Sequence, residues 1–417
     1  MSRILFLTQI LPYPLSSGAK IRQYYMLRHL ARRHEVTLVS FTRADDPAEA
    51  LEHLQDVCYA VHPVPMHRSP WRNVRAAAKG MLTGLPMVIA RDEVAEMKAA
   101  LRRLVAAQAF DVIHADQLSM AWWARSAARM AEPRRPGTVL DEHNAIYLLT
   151  RRMAGTERNP LRRAITLREA RAFARYERDM CREFDAVVTV TTEDREHLLA
   201  LFPPEERERL AFKITVVPIC VDPEHVSPVA HRDGGPPTVL HLGTMFWPPN
   251  AHGVLWFARE VLPLIHEQVP EARFVVVGKN PPAEVQALTS DPRVQVTGYV
   301  ADPLPYLESA DAVVVPLHAG GGMRVKIVDA WLWGLPIVAT PIGAEGIRVQ
   351  DGENILLAEG AQKCARATVR LLTDQALNRR LRANGRAWVE AHYAWQSVYP
   401  LVDRVYADLL EAKAGQC

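Results

Sequence analysis

At 417 residues, 49% hydrophobic and 23% charged, the chain is long enough for two or three domains, each with its own core. No apolar run reaches the ~18–20 residues that span a bilayer, which excludes a helical integral membrane protein. A net charge of +3 is too small for a nucleic-acid binder, though it is uneven: residues 1–228 carry 33 Lys/Arg against 28 Asp/Glu, the remainder 17 against 19.

The start, MSRILFLTQILPYP, has an apolar core of only residues 4–7, followed by prolines and no small-residue cleavage site, so a signal peptide is not expected. Cys58, Cys181, Cys220, Cys364 and Cys417 are scattered and never form a CxxC pair. That pattern implies reduced thiols, a cytoplasmic protein and no structural metal.

The first half alternates strand-like and helix-like segments. RILFL (3–7) predicts a buried strand, residues 12–18 a turn-rich loop, and residues 19–32 an amphipathic helix with Ile21, Tyr25 and Leu30 on one side. EVTLVSF (35–41) is the next strand; after a stretch without clear period come FDVIH (110–114), residues 138–140 and residues 185–190. Strands separated by helices indicate βαβ units and a parallel, doubly wound sheet. HRDGGPP (231–237), polar and rich in glycine and proline, is the clearest linker. Behind it the pattern restarts with TVLHLGT (238–244), a helix over 253–266, RFVVVGK (273–279) and VQVTGYV (294–300).

The stretch DAVVVPLHAGGGMRVKIVDAWLWGLPIVATPIGAEG (311–346) predicts strand, glycine turn, helix over 323–333 and a second strand over 335–340. Gly320, Gly321 and Gly322 free the backbone to approach a ligand. Arg324 and Lys326 fall in the first helical turn, where cations oppose the helix dipole; their presence points to a bound anion. A last helix is expected over 393–410. The whole predicts two Rossmann-like α/β domains facing each other across a cleft: residues 1–230 and 231–393, with 394–417 packing back on the first. Ligands of such sheets bind beyond the carboxyl ends of the strands, where Gly18, His114, His143, Gly243, Gly278 and the three glycines fall. No GxGxxG follows a strand, which weighs against a nicotinamide or flavin cofactor.

The segments HLGTMFWPPNAHGVLWF (241–257), FVVVGKNPP (274–282), VQVTGYVAD (294–302) and the 311–346 stretch resemble the family 4 glycosyltransferases of GT-B fold. RILFLTQILPYPLSSGAKIR, DVIHAD and DEHN resemble that family's first domain, so the likeness covers nearly the whole chain in the family's order. It implies an acceptor-binding first domain, a donor-binding second domain, and retention at the transferred carbon. The family signature is two glutamates with seven residues between them. Here the second falls at Asp329 and the first at Gly321, which cannot carry the role. A branch acting in bacterial exopolysaccharide assembly also has GGG, a lysine and Glu or Asp followed by Ala.

Without a metal, a leaving diphosphate must be stabilised by helix N-termini and by Arg or Lys, and Arg324 and Lys326 are placed for it; two surface cations are the plainer alternative. Asp329, on the same helix face as Lys326, would by resemblance accept from the donor ribose; otherwise the two form a local ion pair. Gly18 would let the backbone approach donor phosphates or acceptor, unless it is an ordinary turn glycine. His143 would contact the transferred sugar, with His114 competing for that role, unless either is structural. Gly243 and Asn250 would border the cleft, and Gly278, Lys279, Tyr299 and Val300 would line the nucleotide base. Asp141 and Glu142 adjoin His143, but their spacing matches no metal-ligand pattern, so no metal and no cofactor beyond the nucleotide sugar are expected.

Arg168, Arg171, Arg175, Arg178 and Arg182 recur at three- and four-residue steps on one helix face, opposite Phe173, Met180 and Phe184. They predict either peripheral contact with anionic lipid at the inner face of the cell membrane, or a solvated face partly neutralised by Glu169, Glu177 and Asp179. The expectation is therefore a glycosyltransferase moving sugar from a nucleotide sugar to a glycan or lipid-linked acceptor. A non-catalytic GT-B partner and a nucleotide-sugar epimerase are the rivals, and a dehydrogenase is more remote.

Overall fold

β-branched runs flanked by helices bury both faces of a strand, and that requirement produces two all-parallel sheets in the computed structural model. It describes every residue except 16, 67–68, 158, 233 and 415–417, so Asp233 of the expected linker, Arg158 and Cys417 lie outside it. The first sheet comprises β1 (Arg3–Thr8), β2 (Glu35–Thr42), β3 (Ala60–Pro65), β4 (Val112–Asp116), β5 (Gly137–Glu142), β6 (Ala186–Thr189) and β7 (Ile214–Val216). Their order is β3-β2-β1-β4-β5-β6-β7. The second comprises β8 (Thr238–Leu242), β9 (Arg273–Val277), β10 (Val294–Gly298), β11 (Ala312–Val315), β12 (Ile337–Ala339) and β13 (Leu356–Leu357), ordered β10-β9-β8-β11-β12-β13. Each order reverses once, between β1 and β4 and between β8 and β11. Such reversals open a crevice at the carboxyl ends of the two central strands, where ligands of doubly wound sheets bind.

The chain divides into two compact units, Met1–Ile219 with the segment from Val398 onward, and Cys220–Ser397. The division thus precedes the 231–237 linker, and the second unit runs on to Ser397. The reason is local: Val221 pairs with Ala394, and Arg386 donates to the carbonyls of Pro223 (3.1 Å) and Val226 (2.7 Å), tying the segment before the linker to the second unit. The last helix, Trp395–Ala414, begins in the second unit and continues into the first.

In the first unit this helix covers part of the sheet with Val398, Val402, Val405, Tyr406 and Leu409, all buried. The Tyr406 hydroxyl lies 2.8 Å from His114 Nδ1, and a side chain at Gly137 would strike Leu409. In the second unit the Val325–Leu332 helix is anchored by Trp331, fully buried with Nε1 donating to the Asn354 carbonyl at 2.8 Å. Gly385 on the Gln375–Tyr393 helix has no room for a Cβ beside that indole. Packing on both sides thus fixes the helix that follows the glycine turn. Cys58, Cys181 and Cys364 are buried free thiols, and Cys220 is buried as well. Among the described residues no helix is long and apolar enough to cross a membrane.

Candidate active site

At the reversal of the second sheet, β11 ends at Val315 and the chain turns through Gly320 (φ 131°) and Gly322 (φ 72°), conformations that exclude most side chains. The helix begins at Val325, so Arg324 caps it rather than lying in its first turn, and no side chain caps it. Arg324 is buried, donating to the carbonyls of Gly321 (2.6 Å) and Ile342 (3.3 and 3.2 Å), with Glu345 at 3.5 Å. Its guanidinium braces the glycine turn and draws a carboxylate to it, although Gly321 carries none.

Lys326 reaches the loop after β8. Its ammonium donates to Asn250 Oδ1 at 2.8 Å, while Asn250 Nδ2 donates to the Thr244 carbonyl at 2.9 Å. Gly243 lies beneath them: a Cβ there would sit 2.9 Å from both Lys326 Nζ and Asn250 Nδ2. Gly278, at the end of β9, presses so closely on the Gly243 carbonyl that a Cβ would overlap it. Gly243, Asn250, Gly278, Lys326 and the glycine turn thus meet at the carboxyl ends of β8, β9 and β11. Burial, reinforced by Arg324, lowers the Lys326 pKa to about 7. The nearby His241 is pressed down to about 3 by burial and by Lys326, so its ring is neutral; Nδ1 donates to the Val314 carbonyl at 2.9 Å, and Nε2 has no partner among the described residues.

Asp329 does not pair with Lys326. Its carboxylate has no hydrogen bond or ion pair among the described residues, and burial raises its pKa to about 7. A part-buried carboxylate without a partner is a costly arrangement unless a ligand completes it. Tyr299, following β10, is 75% exposed, and Val300 packs against the core beside it.

The first unit carries its own polar cluster at the β1/β4 reversal. Gly18 opens the Gly18–Ala31 helix behind the N-cap Ser17. One turn on, Arg22 grips Asp141 through Nε and Nη2 (2.6–3.0 Å) and donates to the Val217 carbonyl at 2.7 Å. Gln23 donates to Asp116 at 2.5 Å. His143, just past β5, places Nε2 3.1 Å from Asp116 and 3.7 Å from Asp141. Burial opposes its charge, yet the two carboxylates raise its pKa to about 9, so it is an imidazolium at neutral pH. Gln117 holds a left-handed backbone (φ 69°) and sets its amide 3.2 Å from His143 Nδ1. With both ring nitrogens protonated, that amide must present its oxygen. Backbone strain of this kind concentrates at working sites.

His114 is not at a strand end. It sits in the middle of β4, stacked on Phe6 at 4.3 Å, and burial lowers its pKa to about 4. Donor atoms of His114, Asp116 and Asp141 lie within 4.8 Å of one another, a set that could hold a divalent ion. Arg22 and His143 already occupy the acceptor positions of both carboxylates, so the cluster is neutral as it stands. Arg22, Asp116, Gln117, His241 and Glu345 were not singled out in the sequence. A buried-pair signal could be had only from residues as far apart as Arg22 and Asp141.

The arginine stripe on the Pro160–Glu183 helix is largely engaged by the protein itself. Arg168 bonds Glu169 and the carbonyls of Gly80 and Leu85, Arg175 reaches the Gly84 carbonyl at 3.5 Å, and Arg182 grips Glu206 at 2.7 and 2.9 Å. Phe173, Met180 and Phe184 are buried opposite.

Two family models match this chain: a glycosyl transferase 4-like domain over residues 17–211, and glycosyl transferases group 1 over residues 236–374. This chain is a family 4 glycosyltransferase. The glycosyltransferase has the GT-B fold, with two Rossmann-like domains. It is 19% identical over 414 residues to an uncharacterised 44.6 kDa protein of the Klebsiella pneumoniae cps region, covering 96% of this chain and 98% of that protein. A GDP-mannose-dependent α-(1-6)-phosphatidylinositol monomannoside mannosyltransferase of Mycobacterium tuberculosis is 28% identical over 238 residues, 51% of this glycosyltransferase and 59% of that enzyme. Among solved structures, Anabaena HepE in complex with UDP and glucose superposes with a TM-score of 0.65 at 14% identity, over 98% of this chain and 100% of that one.

Proposed function

We propose that this glycosyltransferase moves a hexose from a nucleoside-diphosphate sugar to a glycan or lipid-linked acceptor, with retention and without a metal ion. The carrying observation is the Lys326 ammonium held over Gly243 by Asn250, beside a glycine turn that opens an uncapped helix. As the bond from the sugar carbon to the diphosphate breaks, negative charge gathers on the leaving phosphate. Lys326 and amides of the turn would receive it, and Arg324 keeps the turn in shape. A phosphate beside Lys326 favours its charged form, so donor binding takes up a proton above pH of about 7.

Asp329, lacking a partner among the described residues, accepts from the ribose hydroxyls, and Tyr299 and Val300 flank the base. In the first unit, His143, an imidazolium whose two N–H groups are taken by Gln117 and Asp116, offers positive charge to the sugar or its acceptor rather than abstracting a proton. The named donors of the relatives support a nucleotide sugar: GDP-mannose for the mycobacterial enzyme, and UDP with glucose in the HepE complex. Likeness to a capsular polysaccharide biosynthesis glycosyltransferase of Staphylococcus aureus, 25% identical over 138 residues, supports a place in surface polysaccharide assembly.

Gly321 favours a second reading, a GT-B protein that binds a nucleotide without turnover. Melting shifts against a panel of UDP-, GDP- and ADP-sugars identify the donor; turnover is then followed with and without acceptor. Lys326→Ala should lower turnover by roughly 10²-fold or more. Near-normal turnover by that variant sinks the phosphate role. Nucleotide binding without any donor cleavage by the wild type supports the non-catalytic reading, and conversion of donor alone into its epimer supports an epimerase.

A further inference from the structure

The Pro70–Thr83 helix of the first unit turns its small residues inward and its large apolar ones outward. Ala76 and Gly80 are buried, whereas Trp71 is 78% exposed, Val74 60%, Met81 65% and Leu82 88%. At 3.6 residues per turn these four share one stripe less than a third of the circumference wide. Arg72, Arg75 and Lys79 run along one edge of it, Arg72 also donating to the Arg91 carbonyl at 3.2 Å and Lys79 paired with Glu93, and the helix itself contains no acidic residue. Exposed Leu161 and Ile165 lie on the face of the Pro160–Glu183 helix that also carries Arg168, with Arg162 and Arg163 between them. No acid occurs in that first stretch either.

The helix is not loosely attached. Arg168 bonds the Gly80 and Leu85 carbonyls, Arg175 reaches Gly84, and Gly84 ends the helix in a left-handed cap (φ 73°). The arginines expected to meet lipid therefore hold in place the element that presents the apolar stripe. Behind its basic edge lies a cavity of about 640 Å³ whose lining includes Arg72, Arg75, Lys79, Arg91 and Lys98 against Glu93 and Glu96.

We propose that the outward face of this helix docks the protein on an anionic phospholipid bilayer. Trp71, Val74, Met81 and Leu82 enter the boundary between headgroups and acyl chains, and the flanking cations meet lipid phosphates. An exposed tryptophan among aliphatics, on a helix that has no acid of its own and is edged by Arg72, Arg75 and a Lys79 shared with Glu93, complements such a surface in both polarity and charge. A protein partner would need its own acidic rim around an apolar groove. The inference does not depend on the donor or on turnover, so it stands or falls apart from the reading of the active site.

The test is co-sedimentation of the full chain with vesicles of equal parts phosphatidylglycerol and phosphatidylcholine, against phosphatidylcholine alone. The wild type should sediment with the anionic vesicles, less so at high salt, and excess inorganic phosphate at matched ionic strength should not release it. Trp71→Ser with Leu82→Ser should lower the partition coefficient by about tenfold or more while the melting temperature is unchanged. Trp71→Phe should retain sedimentation and reduce fluorescence quenching by lipid brominated in its acyl chains. No sedimentation of the wild type, or equal sedimentation of the double-serine variant, overturns the proposal. So does loss of binding in Arg171→Glu with Arg178→Glu while the serine variant still binds, which would put the contact on the Pro160–Glu183 helix. Self-association that the serine variant abolishes, without vesicle binding, would assign the face to a second copy and overturn it as well.

Discussion

Asp329 shows how much one side chain can reveal about a site. A carboxylate with no partner costs stability in the free protein, and here burial raises its pKa from 3.8 to about 7. At low pH both folded and unfolded states carry the proton, and the group is neutral to stability. Stability falls as pH rises from about 4 through about 7, and above that the full cost stands. Asp329→Asn removes the cost, so the variant should melt ~2–4 °C above the wild type at pH values above about 7 and match it near pH 4. The same variant should bind its nucleotide more weakly, by roughly tenfold for a lost charge-assisted pair of hydrogen bonds, measured by calorimetry. A rise in melting temperature without loss of affinity would remove Asp329 from the ribose site. The identity of this residue was legible from its place in a motif; its lack of a partner was not, because Lys326 could equally have paired with it. Only the fold shows Lys326 turned to Asn250, 76 residues away. Likewise Arg22 and Asp141 are 119 residues apart, and nothing local marks either as half of a buried pair.

The strands divide by whether their own residues declare them. β1, β2, β8, β9 and β11 are runs of aliphatic and β-branched side chains buried on both faces, and each was expected within a residue or two of its bounds. β3, AVHPVP, carries Pro63 and Pro65 and could not be recognised; it survives because it is an edge strand, where missing donors cost least. β7, at the other edge, is three residues long. His114 misled because a polar residue near the end of FDVIH suggests a mouth, whereas the strand continues to Asp116 and the ring stacks inside. The carboxyl ends of β8 and β9 make a sharper demand than their apolar runs. Because the Gly243 carbonyl fills the space a Cβ at Gly278 would need, Gly278→Ala should cost about 2–3 kcal/mol in chemical denaturation and weaken nucleotide binding. Gly235→Ala, where nothing lies within 4 Å, should change neither. Equal effects of the two substitutions would refute the close approach as the reason for glycine.

At the level of the whole molecule, the Trp395–Ala414 helix begins in the second unit and completes the first. His114 depends on it: the Tyr406 hydroxyl is the partner of Nδ1, and Nε2 has none among the described residues. Tyr406→Phe should therefore cost about 1–3 kcal/mol in urea unfolding of the first unit, since a buried ring loses its hydrogen bond. Tyr406→Ala should cost more, about 3–5 kcal/mol, through the cavity it leaves. A phenylalanine variant as stable as the wild type would show that the contact is packing alone. The helix also sets an order of assembly. Residues 220–397 are consecutive, so the second unit has all its strands once they have left the ribosome. The first unit, though its strands are made earlier, waits for Val398 onward before His114 is covered. Through that interval part of an apolar sheet stands open to aggregation, and chaperones have most to hold then. The unit that is translated first is finished last.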